Sequence, residues 1–174
     1  MDVLIVVDMQ NDFIDGALGT PEACAVVDKA VTKIRNFKGR IFFTRDTHEE
    51  NYLETQEGRN LPVRHCIRGT AGFELNPKIA PFCRNDPFDK PSFGSIRLGE
   101  AMAELDRSEH IDSVTLIGLC TDICVISNAF LIKAFLPETQ VAVDASCCAG
   151  VTPQSHRQAL EAMKVCQIRI ENEA

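Results

Sequence analysis

Val3-Leu4-Ile5-Val6-Val7-Asp8 begins the chain's first regular element: five consecutive apolar residues closed by a carboxylate. A strand with one wet face alternates apolar and polar residues. An unbroken apolar run of this length therefore reads as a strand covered on both faces. Similar runs recur at Arg40-Ile41-Phe42-Phe43-Thr44, Val114-Thr115-Leu116-Ile117-Gly118, Val141-Ala142-Val143 and residues 167–170. Helical signals fall between them. Thr20-Pro21-Glu22 supplies an N-cap, a proline at the first helical position and an acid in the first turn. Ala25, Val26, Ala30, Val31 and Ile34 continue at helical spacing, and Gly39 closes the unit. Gly94-Ser95 opens a helix through Leu105, a third runs from Asp122 to Phe135, and Thr152-Pro153 caps a fourth reaching Val165. Strands alternating with helices imply right-handed βαβ units. The expectation is a three-layer α/β domain, an open and mostly parallel sheet with helices on both faces.

The chain of 174 residues is the size of one domain, and its 45% hydrophobic content can supply a core without cross-links. The formal charge is −7, and the 18 Lys and Arg residues are scattered, which argues against a nucleic-acid partner. The apolar run at Val3–Val7 is too short to cross a membrane and lacks a basic start. A soluble, cytoplasmic protein without a secretion signal or membrane partner is the reading. In that setting the eight cysteines are free thiols. Cys24, Cys83, Cys147, Cys148 and Cys166 read as small buried hydrophobes.

Residues 46–92 are rich in Pro, Gly, Asn and charge, with one short strand expected at Ile79–Cys83. A segment this long without regular structure is usually functional. In open parallel sheets, ligands gather beyond the carboxyl ends of the strands. Asp8, the Asp46/His48 pair and the Cys120–Cys124 segment all fall at that edge. Cys124 stands near a helix start, where the dipole and free N–H groups favour thiolate and can stabilise an oxyanion. Cys120 and Cys124 are four apart, whereas a thioredoxin-like pair has two intervening residues. Asp46 and His48, two apart in an extended segment, point to one side. With His65 they form a mixed O/N set suited to zinc, iron or manganese, with coordination positions left open. Burial for the thiols, solvation for the histidines, turn bonding for Asp8 and Asp12 and a surface position for Lys90 are the competing structural uses.

Five segments together carry a resemblance. They are Val6-Val7-Asp8-Met9-Gln10-Asn11-Asp12-Phe13, Arg45-Asp46-Thr47-His48, residues 61–72, Lys90-Pro91-Ser92-Phe93-Gly94-Ser95 and Gly118-Leu119-Cys120-Thr121-Asp122-Ile123-Cys124-Val125. Their order is similar to that of the nicotinamidase/isochorismatase-like cysteine hydrolases, nicotinamidase branch, which have an isochorismatase-like, Rossmann-like fold. The resemblance implies a triad with Cys124 as nucleophile, Asp8 as general acid/base and Lys90 as the cation between them. It implies a cis peptide between Leu119 and Cys120, which turns N–H groups of Cys120 and Cys124 toward the oxyanion. It makes Asp46, His48 and His65 ligands of a divalent metal, zinc before iron or manganese, with Glu57 a weaker candidate. Phe13 matches the aromatic that stacks on the substrate ring, against a near-even reading as core packing. A homo-oligomer acting on a small-molecule amide is the family expectation.

One departure stands out. Nicotinamidases commonly carry a further aromatic shortly before the second metal histidine. Asn60-Leu61-Pro62-Val63-Arg64 has none. Arg64 then marks a different substrate, or Tyr52 serves instead. Cys66 reads as packing, and His110 and His156 as ordinary surface or helix residues. The alternatives are a metal-independent hydrolase of ureido or carbamoyl compounds and, from another class, a thiol redox or binding protein using Cys120 and Cys124.

Overall fold

The protein's structure, a computed structural model, describes residues 1–173. Its strands are β1 (Asp2–Val7), β2 (Arg40–Asp46), β3 (Phe88–Lys90), β4 (Ser113–Leu119), β5 (Gln140–Ala149) and β6 (Arg169–Glu171). They form one sheet in the order β3-β2-β1-β4-β5-β6, and every neighbouring pair is parallel. The helices are α1 (Asn11–Ile14), α2 (Pro21–Asn36), α3 (Gln56–Asn60), α4 (Ile96–Glu109), α5 (Ile126–Phe135) and α6 (Pro153–Val165).

The continuous apolar run of β1 is explained by two cores. Successive strand side chains point to opposite faces. Val3, Ile5 and Val7 pack with Leu98 and Met102 of α4, Ile132 of α5 and Leu160 and Met163 of α6. Leu4 and Val6 pack on the other face with Ala23, Val27, Ala30 and Ile34 of α2. All five β1 side chains are fully buried. Each such burial is worth about 1.5–3 kcal/mol relative to exposure. A one-residue slip of this strand would exchange the two sets, so β1 fixes the register of its neighbours.

Three helix starts are capped as their sequences suggest. Thr20 Oγ1 accepts from Ala23 N at 3.0 Å and Ser95 Oγ from Leu98 N at 3.2 Å, while Thr152 and Ser155 cap reciprocally. Each cap contributes about 1 kcal/mol.

Other boundaries differ from the sequence reading. Ile79–Cys83 is not a strand: Ala80–Phe82 forms a single 3-10 turn around Pro81, which has no N–H for a ladder. The edge strand is Phe88–Lys90 instead. After β4 the chain first makes a wide π turn, Thr121–Val125, and α5 starts only at Ile126. β5 runs well beyond Val143, to Ala149. All eight cysteines are free, but Cys24 and Cys166 are exposed and Cys83 half-buried, so only Cys147 and Cys148 of that group are core thiols. No helix among the described residues is long and apolar enough to cross a membrane.

Gly118 of β4 pairs with Val7 of β1. Its φ is +119°, and a Cβ there would lie 2.1 Å from the Val7 carbonyl oxygen. Both the backbone conformation and the contact exclude a side chain. Gly118→Ala is expected to lower stability by at least about 2 kcal/mol, measured by urea unfolding. A loss below about 0.5 kcal/mol, the range of an ordinary surface change, would show that the two strands separate easily here.

Candidate active site

The sheet order reverses between β1 and β4, and the cleft of such a fold opens beyond the strand ends at that point. Four strands deliver the side chains. Asp8 directly follows β1, Asp46 ends β2, Lys90 ends β3, and Cys124 lies in the π turn after β4.

Lys90 is the hub. Its Nζ lies 2.7 Å from Asp8 Oδ2, 3.3 Å from Cys124 Sγ and 3.4 Å from Asp46 Oδ1, and it donates to Ser92 O at 3.2 Å. The Asp8 and Lys90 side chains are fully buried and Cys124 is almost so. Asp8 itself has φ +46°, unusual for a residue with a side chain. Thr44 holds it there: Thr44 Oγ1 donates to Asp8 Oδ1 at 2.6 Å and accepts from Asp8 N at 3.2 Å. Oδ2 faces the ammonium but makes no well-aligned hydrogen bond, so it retains capacity for a further proton. Asn128 braces the other side. Its Nδ2 donates to Cys124 O at 2.8 Å and its Oδ1 accepts from Ser95 N at 2.9 Å, tying the Cys124 turn to the start of α4.

Burial governs the ionisation. It raises the Asp8 carboxyl above its ordinary range, with Lys90 opposing. Burial and the Asp8 charge push the Cys124 thiol well above its usual range, Lys90 again opposing. Burial would strip the proton from Lys90, but Asp8, Cys124 and Asp46 outweigh it and hold the ammonium above its normal range. One cation thus stands between a carboxyl and a thiol that burial pushes upward together. The dipole-lowered thiol expected from the sequence is not what forms, because desolvation is the larger effect. Burial also lifts the Cys120 thiol, to about 12. The Leu119–Cys120 peptide is cis.

A second cluster adjoins the first. Ligand atoms of Asp46, His48, Glu57 and His65 all lie within 4.8 Å of one another. Asp46 Oδ2 is 2.9 Å from His48 Nε2 and 3.5 Å from His65 Nε2. Glu57 Oε1 is 3.6 Å and 3.8 Å from the same two nitrogens. The backbone explains the convergence. His48 N donates to Cys66 O at 3.0 Å and Arg68 N to His48 O at 2.8 Å, which lays residues 65–68 beside the end of β2. Asp12 Oδ2 accepts from Cys66 N at 2.7 Å and pins the same segment from α1. Gln10 clamps Asp46 through its backbone, accepting from Asp46 N and donating to Asp46 O, both at 2.8 Å. His65 Nδ1 donates to Val63 O at 2.8 Å, which leaves Nε2 facing the cluster. Burial and then Asp46 raise the Glu57 carboxyl.

Between the clusters lies a cavity of about 570 Å³. Its lining includes Cys120 and Cys124 as well as His48, Glu57 and His65, with Phe13 and Phe93.

Residues 2–172 match the family described as the isochorismatase domain. The chain belongs to that family. Curated relatives include a nicotinamidase/pyrazinamidase of Mycobacterium tuberculosis, 25% identical and covering 98% of both chains. Among solved structures, a pyrazinamidase of Pyrococcus horikoshii in complex with zinc is 31% identical over 97% of each chain, with a TM-score of 0.77. A pyrazinamidase/nicotinamidase of Streptococcus mutans is 30% identical, covers 98% of this chain and 99% of that one, and has a TM-score of 0.81.

In this isochorismatase-family chain, Asp8, Lys90 and Cys124 converge, and Asp46, His48 and His65 converge beside them with Glu57 as a fourth neighbour. Phe13 is buried, packs in the core around α2, and also reaches the cavity, its ring centroid 5.6 Å from that of His65. Tyr52 is fully buried behind the two histidines, with ring centroids 4.6 Å from His48 and 5.0 Å from His65. Arg64 turns outward to pair with Glu50 and does not line the cavity. Cys66 packs in the α2-side core. His110 is exposed, whereas His156 is half-buried and bonded to Thr121. Thr44, Gln10 and Asn128 were not singled out by sequence. Their neighbours Asp8, Asp46 and Cys124 in the motifs were the available signal.

Removing Lys90 leaves Asp8 and Asp46 buried without their shared cation. Lys90→Met is expected to lower stability by about 3–5 kcal/mol in denaturant unfolding, and adding Asp8→Asn to recover part of it. A single-variant loss under about 1 kcal/mol, within the ordinary range for point mutants, would show that the carboxylates do not depend on this ammonium.

Proposed function

We propose that the protein hydrolyses a small heteroaromatic amide, nicotinamide first among them, to the acid and ammonia through a thioester on Cys124. The enzyme class, an amidohydrolase, stands on the family match and on relatives named as nicotinamidases and pyrazinamidases. The observation that carries the mechanism is the single ammonium placed 2.7 Å from Asp8 and 3.3 Å from Cys124, which lines the cavity.

The thiol proton sets the order of events. Asp8 takes it from Cys124, and the thiolate attacks the amide carbonyl carbon to form a C–S bond. Lys90 keeps the site balanced whichever partner bears the negative charge. N–H groups of Cys120 and Cys124 stabilise the oxyanion. Asp8 then protonates the amide nitrogen, the C–N bond breaks and ammonia leaves. Water attacks the thioester as Asp8 accepts its proton, the C–S bond breaks, and the proton returns to the thiol as the acid departs.

The second cluster fits a divalent cation. Two imidazoles with their Nε2 atoms at the cluster, a carboxylate and a second carboxyl pushed up by Asp46 form an electron-rich set whose charge a cation would relieve. Asp46, His48 and His65 would hold it, with Glu57 beside them. A bound ion there supplies a Lewis-acid docking point for a ring nitrogen of the substrate. Phe13 presents a ring on the same wall, suited to stacking against a heteroaromatic.

Purified protein is expected to release ammonia from nicotinamide and to carry close to one equivalent of divalent metal, zinc by elemental analysis. Cys124→Ala should abolish turnover while leaving the metal bound. His65→Ala should lower metal content and mainly raise KM. Turnover persisting in Cys124→Ala would overturn the thioester route, and full turnover after chelation would overturn the metal's part in binding.

A further inference from the structure

The nucleophile's turn is also held from outside the cleft. Thr121 is fully buried, and its Oγ1 lies 2.8 Å from His156 Nδ1. His156 sits in the first turn of α6 and lines a separate depression with Gly150 and Arg157, not the substrate cavity. Two more contacts join the same pieces. The Asp122 carboxylate accepts from Val151 N at 3.1 and 3.2 Å. Gly150 approaches His156 so closely that a Cβ on it would lie 2.9 Å from His156 Cβ. The cap formed by Thr152 and Ser155 makes the first turn of α6 a firm support.

Ile123 N and Val125 N both donate to Cys120 O, at 3.1 and 3.0 Å. Those bonds set the internal shape of the turn but not its tilt against the sheet. Side chains set the tilt, from opposite sides: Asn128 toward α4 and Thr121 toward α6. The geometry points to His156 as a positioning residue that acts through Thr121 to fix the rotation of the Cys120–Val125 turn, and so the place of the Cys124 thiol relative to Asp8 and Lys90. Burial, with Arg157 acting the same way, holds the His156 ring below its ordinary pKa against Asp122 and Glu173. The ring is therefore neutral, and one proton is available to the bond between Nδ1 and Oγ1.

This inference rests on Cys124 as nucleophile, so its test has a readout that does not need the substrate. The rate of Cys124 alkylation by iodoacetamide, followed by peptide mass, is measured beside kcat and KM for nicotinamide. His156→Leu and Thr121→Val should each slow alkylation and lower kcat about tenfold, the effect of one lost buried hydrogen bond, with KM unchanged. The double variant should be no slower than either single, because both remove the same bond. His156→Asn, which keeps a hydrogen-bonding atom near the Nδ1 position, should stay within about twofold of the unmodified protein, a near-neutral change. Losses that multiply in the double variant, an Asn variant as slow as Leu, or a Leu variant at full rate would overturn the assignment. If His156→Leu does not fold, Thr121→Ser against Thr121→Val decides it: Ser must keep the rate and Val lose it. Amide hydrolysis surviving in Cys124→Ala would instead count against the nucleophile reading, leaving the alkylation comparison intact.

Discussion

The arrangement depends on one buried ammonium. Lys90 sits at the end of the short edge strand β3, its side chain sealed from solvent, and faces Asp8, Asp46 and Cys124. A lone cation in such surroundings would lose its proton, and so many acids without a cation would not stay charged. Each is tenable only because the others are present. This mutual requirement joins β1, β2, β3 and the turn after β4 into one electrostatic unit at the sheet's working edge. It also explains why so short a strand as β3 is kept in register: moving Asp46 away from Lys90 would expose two charges to an apolar interior.

Around that unit the protein spends polar side chains on holding backbone. Gln10 clamps both sides of the Asp46 peptide, Asp12 holds the residue after His65, Thr44 fixes Asp8, and Asn128 fixes Cys124. These residues need not touch a substrate. They hold other residues in place, which is how a segment with little regular structure, 47–87, delivers two histidines and a glutamate to a single point.

The layers were legible in the sequence because β1 has no polar residue to spare and the helix starts at Thr20, Ser95 and Thr152 carry their caps in plain view. The working edge was legible because each reactive residue abuts a strand. Three things were not. β3 is a three-residue strand, Phe88–Lys90, in which pattern has no length to develop, whereas Ile79–Cys83 looked apolar enough to mislead. The π turn left no compositional mark, since Thr121–Val125 reads as an ordinary helix start. The ionisation of Cys124 was misjudged because a dipole can be inferred from position, but the depth of burial that overrides it belongs to the tertiary structure. Exposed Cys24, on α2, and Cys166, just past the end of α6, show the same limit, since apolar content alone does not set which way a side chain turns.

The burial of Cys124 has a bearing on how the protein meets oxidants. Peroxides attack thiolates, and a sealed thiol that keeps its proton reacts slowly. The Cys124 thiol, buried and pushed upward by that burial, is thus shielded from such attack. Among eight free cysteines, the first to be oxidised would be the exposed Cys24 and Cys166, neither of which lines the cavity, and damage there would leave Cys124 in its reduced form.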